Sequence, residues 1–309
     1  MTGPAPAAVR PLAVPALVLA ADHRARGVAT IERYADYLAA LRAALPHSDG
    51  LLATAQPLGD LARAGDLGPG QRTYLSLNRA GVAGTAFELD DRLVATVARA
   101  AQDGWTGVKL MTRLAPADPS GAVALELLGR VLEEARTLGL EALIEPVVWR
   151  DGAMSRRVYD VVLAAVIAHD LGAPLLKVPV PEAEAGAARV RAVERVVASV
   201  GVPVLFLGGP HHGETERVVA EARDIMAGGG AGLAMGRAIL QDPSPAATAE
   251  RLAGVVHASS SSPSTSAPAS PRWACGTATD WWHWPAHRWP PFTRHRGGPS
   301  SSPPSGGRR

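Results

Sequence analysis

The sequence is short of lysine. Of its 31 lysines and arginines only Lys109 and Lys177 are lysine, and every other one is arginine. A chain that places arginine almost everywhere has little use for lysine as a generic surface charge. Arginine keeps its proton in any protein setting, whereas lysine can lose it, and the neutral amine can attack a carbonyl. Both lysines sit in apolar, strand-like runs, Trp105-Thr-Gly-Val-Lys109-Leu-Met111 and Leu175-Leu-Lys177-Val178. Burying an ammonium there is costly unless it is paired or neutralised. Each lysine alone reads as one half of a buried ion pair. Two in the same kind of place, with none elsewhere, favour amine chemistry.

Cysteine is scarcer still. Cys275 stands alone, which excludes a disulfide framework or a cysteine-based zinc site within one chain. No apolar run is long enough to span a bilayer. Residues 12–21 are apolar and follow Arg10, a faint likeness to a signal peptide. The run is short, is broken by Pro15 and leads straight into Asp22-His23. A cytoplasmic enzyme is therefore expected. The surplus of positive charge is local: from Ala258 onward there are six Arg against one Asp, while the rest carries 25 basic and 28 acidic residues. The pI of about 9.0 is thus largely a property of the tail. It gives no reason to expect a nucleic-acid partner for the core.

What is present is a repeated strand-then-helix pattern. Strands are predicted over 15–21, 50–54, 72–77, 106–111, 141–148, 174–180, 202–207 and 231–235. Helices are predicted over 30–45, 90–104, 121–138, 155–170, 182–199, 214–227 and 244–256. Eight strands alternating with helices in about 250 residues is the count and size of a (β/α)8 TIM barrel, an α/β fold. The apolar strands suit a parallel sheet covered on both faces. No Gly-x-Gly-x-x-Gly follows the first strand, which weakens a doubly wound alternative.

Two segments follow: a barrel over 1–257 and a tail over 258–309. The tail is rich in Ser, Pro and Gly without periodicity, a disordered composition. It also holds five of the seven tryptophans, Trp273, Trp281, Trp282, Trp284 and Trp289. It reads either as an interaction peptide or as an out-of-frame translation of the gene's end. The second is favoured, because nothing in it resembles an element that could pack.

Catalytic residues of such barrels lie at the C-terminal ends of the strands. In order, those ends offer Asp22-His23-Arg24, then Thr54 and Gln56, Asn78-Arg79, Lys109, Glu145 and Trp149, Lys177, Gly208-Gly209 with His211-His212, and Gly236-Arg237. Asp22, Lys109, Glu145 and Lys177 would converge on the barrel axis. A lysine near a second cation in an apolar pocket becomes nucleophilic and can form a Schiff base with a ketone or aldehyde. A neighbouring carboxylate must then move protons, with Glu145 the first candidate and Asp22 the second. The plainer reading is a buried cluster of ion pairs, which is costly for structure alone. Gly208-Gly209 and Gly236-Arg237 end adjacent strands, where barrels often bind phosphate. His23 and His211 with a carboxylate offer a metal-dependent alternative. Adjacent His211 and His212 read more simply as loop residues. A third alternative is a non-catalytic barrel that binds a phosphosugar.

The order Ala21-Asp22-His23, Gly107-Val-Lys109-Leu, Leu143-Ile-Glu145-Pro146, Leu176-Lys177-Val178, Val204-Leu-Phe-Leu-Gly-Gly-Pro210 and Ala234-Met-Gly236-Arg237 resembles the class I aldolase superfamily. Its members include tagatose-bisphosphate, archaeal-type fructose-bisphosphate and deoxyribose-phosphate aldolases. The likeness covers roughly residues 12–241. It implies that Lys177 forms the Schiff base, and that Lys109, Glu145 and Asp22 assist. It further implies that Gly208, Gly209, Gly236 and Arg237 hold phosphate, with His23 and Asn78 as further substrate contacts. Arg24 departs from the archaeal pattern, which has glycine there. The implied partner is a small phosphorylated sugar, with no cofactor, no metal, no nucleic acid and no membrane; homo-oligomerisation stays open.

Overall fold

The computed structural model describes residues 11–24, 32–78, 92–115, 121–208 and 215–258. The expected tail lies outside them, apart from Ala258, as do Arg79, Gly209, His211 and His212.

Nine strands are formed among the described residues. They are β1 (Ala16–Ala21), β2 (Gly50–Ala53), β3 (Arg72–Ser76), β4 (Gly107–Leu114), β5 (Glu141–Arg150), β6 (Ala153–Met154), β7 (Leu175–Pro179), β8 (Val204–Leu207) and β9 (Gly232–Met235). Eight of them pair in parallel in the order β4-β3-β2-β1-β9-β8-β7-β5, and β5 pairs back with β4. The sheet is therefore a closed parallel barrel with helices around it, the TIM-barrel architecture expected. Only β6 stands outside the ring. It folds back antiparallel on the end of β5, pairing Trp149 with Met154 and Arg150 with Ala153.

Alternation along each strand sorts the side chains. Val18, Leu52, Tyr74, Leu143, Leu175, Leu205 and Ala234 form one apolar cluster inside the barrel. Their neighbours Leu17, Leu51, Leu75, Ile144, Leu176, Phe206 and Leu233 belong to a second, larger cluster with the helices. Successive strand side chains point to opposite faces, so both faces are apolar and the sequence reads as continuous hydrophobic runs.

Several element boundaries differ from the sequence reading for identifiable reasons. A helix over Ala55–Ala64 is not among those expected, and it carries Pro57 in its first turn. Proline in the first turn removes only a donor that has no helical partner. The helix expected from residue 90 begins at Val97, where Thr96 Oγ1 accepts from Arg99 N at 3.1 Å as an N-cap. The helix expected from residue 182 begins at Ala187, after Gly186 at φ 80°. Strands β4 and β5 run longer than expected, pairing over eight residues from Gly107–Glu141 to Leu114–Val148. This pair rises above the rest of the barrel mouth and carries the β5–β6 hairpin.

Candidate active site

The site grows out of the same alternation. Two residues beyond the inward-facing Ala20, Tyr74, Leu143 and Leu175 stand Asp22, Ser76, Glu145 and Lys177, and two beyond Gly107 stands Lys109. One step along each strand thus replaces an apolar interior layer by a charged one, at the C-terminal end of the barrel.

The charged layer is tightly connected. Lys109 Nζ lies 3.0 Å from Asp22 Oδ2 and 2.8 Å from Glu145 Oε2. Lys177 Nζ donates to the same Glu145 Oε2 at 3.0 Å. Asp22 Oδ2 also accepts from Ser76 Oγ at 2.9 Å, and Asp22 Oδ1 stands 3.1 Å from His23 Nδ1. Two carboxylates and two ammonium groups are balanced in charge, and Lys109 at 1% exposure is among the largest fully buried side chains. Burial pushes the Glu145 carboxyl up, but Lys109 and Lys177 outweigh it and hold it down at about 2. Asp22 is likewise held well below the usual carboxylate range: burial opposes ionisation, and Lys109 and the His23 hydrogen bond overcome it. Burial pulls Lys109 down, yet Asp22 and Glu145 together raise it above an ordinary lysine. Lys109 is thus a fixed cation between two anions.

These groups open into a cavity of about 440 Å³. Asp22, His23, Lys109, Glu145 and Lys177 line it on one side, Gly208, Gly236 and Arg237 on another, and Met111, Trp149 and Met154 on a third. Its size suits a small ligand. Gly236 is required by space: a Cβ there would stand 1.8 Å from Ala20 O and 2.7 Å from His23 Cε1. Glycine lets β9 close against β1 while its backbone faces the cavity.

Of the sequence-predicted residues, Lys177, Lys109, Glu145, Asp22, His23, Gly208, Gly236 and Arg237 are brought together around this cavity. Asn78 is not. Its carboxamide donates to Met111 O at 2.6 Å and accepts from Met111 N at 3.1 Å, extending the β3–β4 ladder by a side chain. Arg24 does not crowd the site: it is exposed, its guanidinium over the Tyr34 and Tyr37 rings, and donates to Glu32 O. Ser76 and the hairpin residue Met154 were missed. A serine ending an apolar run gives little signal, but Asp151-Gly152 is a strong hairpin signal. Both residues have positive φ, 50° and 75°, as a two-residue type I′ turn requires. Among the described residues no group of three His, Cys, Asp or Glu could hold a metal ion. Among them, too, no helix is long and apolar enough to cross a membrane.

A family model described as Cgl0159-like matches residues 15–253. The crystal structure of Cgl0159 from Corynebacterium glutamicum is 29% identical, with a TM-score of 0.68 over 81% of this chain and 88% of that one. An archaeal fructose-1,6-bisphosphate aldolase, solved with its catalytic lysine covalently bound to the carbinolamine intermediate of the substrate, is 22% identical. Its TM-score is 0.62 over 78% of this chain and 94% of that one, a likeness of fold. Among curated proteins, the 2-amino-4,5-dihydroxy-6-oxo-7-(phosphonooxy)heptanoate synthase of Streptomyces griseus is 37% identical over 106 residues. That match covers 34% of this chain and 36% of the relative, so the chain spans about a third of that protein's length.

Proposed function

The chain belongs to the Cgl0159-like family, and from that premise we propose that it is a class I aldolase. It cleaves or forms an aldol of a phosphorylated sugar or sugar acid through a Schiff base on Lys177. The observation that carries this reading is a shared oxygen. Glu145 Oε2 accepts from both lysines, at 2.8 Å from Lys109 and 3.0 Å from Lys177, at the edge of a cavity. The covalent lysine adduct of the archaeal aldolase and the phosphonooxy product of the Streptomyces synthase support the chemistry and the substrate class.

The roles divide by partner. Lys109, held charged by two carboxylates, positions oxygens. Lys177 passes a proton to Glu145 and adds through Nζ to the ketone carbon, and the alkoxide formed takes the proton that the newly bonded nitrogen sheds, giving a neutral carbinolamine. That hydroxyl leaves as water with a proton from Glu145, and an iminium forms. Asp22 or Glu145 then removes the proton of the β-hydroxyl. The Cα–Cβ bond breaks, its electron pair enters the iminium as an enamine, and an aldehyde departs. Protonation at carbon and addition of water release the ketone and restore the amine.

Glu145 suits the proton-carrying role because its basicity follows the charge on Lys177. When Nζ becomes the neutral amine of a carbinolamine, one of two cations holding Glu145 down is gone, and the carboxylate gains affinity for a proton. When the iminium forms, the charge returns and favours release. Gly208, Gly236 and Arg237 would hold the phosphate, with His23 beside them.

The test is borohydride trapping. The protein is incubated with dihydroxyacetone phosphate and a panel of ketone and aldehyde phosphates, reduced, and weighed intact beside Lys177→Ala. A stable adduct absent from the variant is expected. A folded protein that turns over a panel compound without any reducible adduct would retire the Schiff-base reading.

A further inference from the structure

The cavity has two unlike ends. Arg237, Gly208 and Gly236 come from β8, β9 and the turns that follow them, whereas Met111, Trp149 and Met154 come from β4, β5 and β6. In the ring β8 and β9 stand two to four strand positions from β4 and β5, so the two groups meet the cavity from different parts of the barrel mouth. The second side is apolar. Met111 and Val147 form a buried cluster with Met154 packed on it. Trp149 stands two residues above Val147 and faces the cavity, while Arg113 stacks on its ring at 5.5 Å. Arg113 is buried and does not line the cavity.

This wall is fixed in place. The hairpin turns through Asp151-Gly152, and Arg150 grips Asp160 through two hydrogen bonds of 2.8 Å. Ser155 Oγ donates to the same carboxylate at 2.6 Å, and Ser155 N donates to Val148 O at 2.8 Å. The base of the hairpin is thereby pinned to the helix Val158–Asp170. Arg150 raises no question of charge in the cavity, since its guanidinium is engaged on the helix side.

We propose that the Trp149–Met154 hairpin is the specificity determinant of the site, and that it selects substrates phosphorylated at one end and uncharged and largely apolar at the other. This rests on the reading above that Gly208, Gly236 and Arg237 hold the phosphate. With one phosphate anchored there and the reacting carbon at Lys177, the far half of the substrate lies against Met111, Trp149 and Met154. A second phosphate at that position would lose its water against side chains that offer it methyl, thioether and ring surface. A bisphosphate is therefore disfavoured, and the aldehyde half is an unphosphorylated one.

Calorimetry with inert probes on the same six-carbon chain tests this without chemistry. Hexyl phosphate and 1,6-hexanediol bisphosphate are titrated into the full chain, into Met154→Lys, into Met154→Gln and into Trp149→Ala. Hexyl phosphate is expected to bind at least about tenfold more tightly than the bisphosphate, the cost of one unpaired buried polar group. Met154→Lys should reverse the order, Met154→Gln should narrow it should the lysine variant fail to fold, and Trp149→Ala should weaken hexyl phosphate alone. A bisphosphate that binds as tightly as hexyl phosphate overturns the proposal. So does a ratio unchanged in every folded variant, or a failure of both probes to bind. Trapping on Lys177 is read separately. Adduct without the probe preference retires the specificity claim alone, and probe preference without adduct retires the aldolase reading alone.

Discussion

Strand β5 carries two buried glutamates on its inward face, four residues apart, and they live in different chemistry. At about 3.3 Å per residue they stand roughly 13 Å apart along the strand. Burial does not separate them: Glu141 is 5% exposed and Glu145 6%. Their partners do. Glu141, at the N-terminal end, accepts from Leu12 N at 2.9 Å, from Tyr74 OH at 2.5 Å and from Arg72 at 3.4 Å. An amide, a guanidinium and a phenol that burial and Glu141 push above its ordinary range all keep their protons at neutral pH. That cluster closes the floor of the barrel. Glu145, at the other end, has two amines as partners and a cavity before it. A buried carboxylate becomes a candidate for proton transfer when its partners can change charge and a ligand can reach it.

The comparison breaks first at Lys177. Lys177→Met should lower kcat by more than about 10⁴-fold, as loss of a covalent nucleophile does, with thermal unfolding showing a folded protein. Glu145→Gln should follow, with a loss of roughly 10²- to 10⁴-fold in steady-state turnover. The same variant should change the acid limb of stability. Glu145 is depressed in the folded protein from an ordinary 4.5 to about 2. Its contribution is therefore present above pH 4.5 and lost as pH falls towards 2. Denaturant titrations across that window should show a shallower decline in Glu145→Gln than in the parent chain.

Glu141→Gln is the counterpart. It should destabilise the fold by about 3 kcal/mol, because Arg72 is left without its buried anion. The kcat of the folded fraction should stay within about twofold, the ordinary reach of a change remote from the chemistry. Equal losses of turnover in Glu141→Gln and Glu145→Gln would erase the distinction between the two ends. The smallest effect is expected from Tyr74→Phe, which removes one neutral donor from Glu141 and should cost about 1–2 kcal/mol in chemical denaturation, with turnover unchanged.

Much of this was legible in the chain because a barrel turns strand order into site order. Asp22, Lys109, Glu145 and Lys177 each end an apolar run, and parallel closure brings such ends together. Gly236 was legible as a glycine at a strand end, but its cause, the contact with Ala20 O, needs the β9–β1 pairing. Asn78 shows the limit. It too ends a strand, yet its carboxamide completes a backbone ladder with Met111. A polar group at a strand end faces a ligand in one case and a neighbouring main chain in another, and linear sequence does not distinguish them. Ser76 was hidden by its ordinary place in a strand, and Met154 by a hairpin whose Asp-Gly turn was readable but whose anchor, Asp160, sits on the following helix. The helix over Ala55–Ala64 was hidden by Pro57, a breaker in mid-helix and harmless in a first turn.

The most direct test of the central assignment uses the scarcity of lysine itself. After borohydride reduction with a ketone or aldehyde phosphate that gives an adduct, the modified chain is digested and the two lysine peptides are weighed. The expected result is an adduct on the peptide carrying Lys177, with the one carrying Lys109 unmodified, and trapping that survives Lys109→Arg at reduced rate but not Lys177→Arg. An adduct on Lys109, or turnover that persists in Lys177→Arg, would contradict the division of roles between the two lysines.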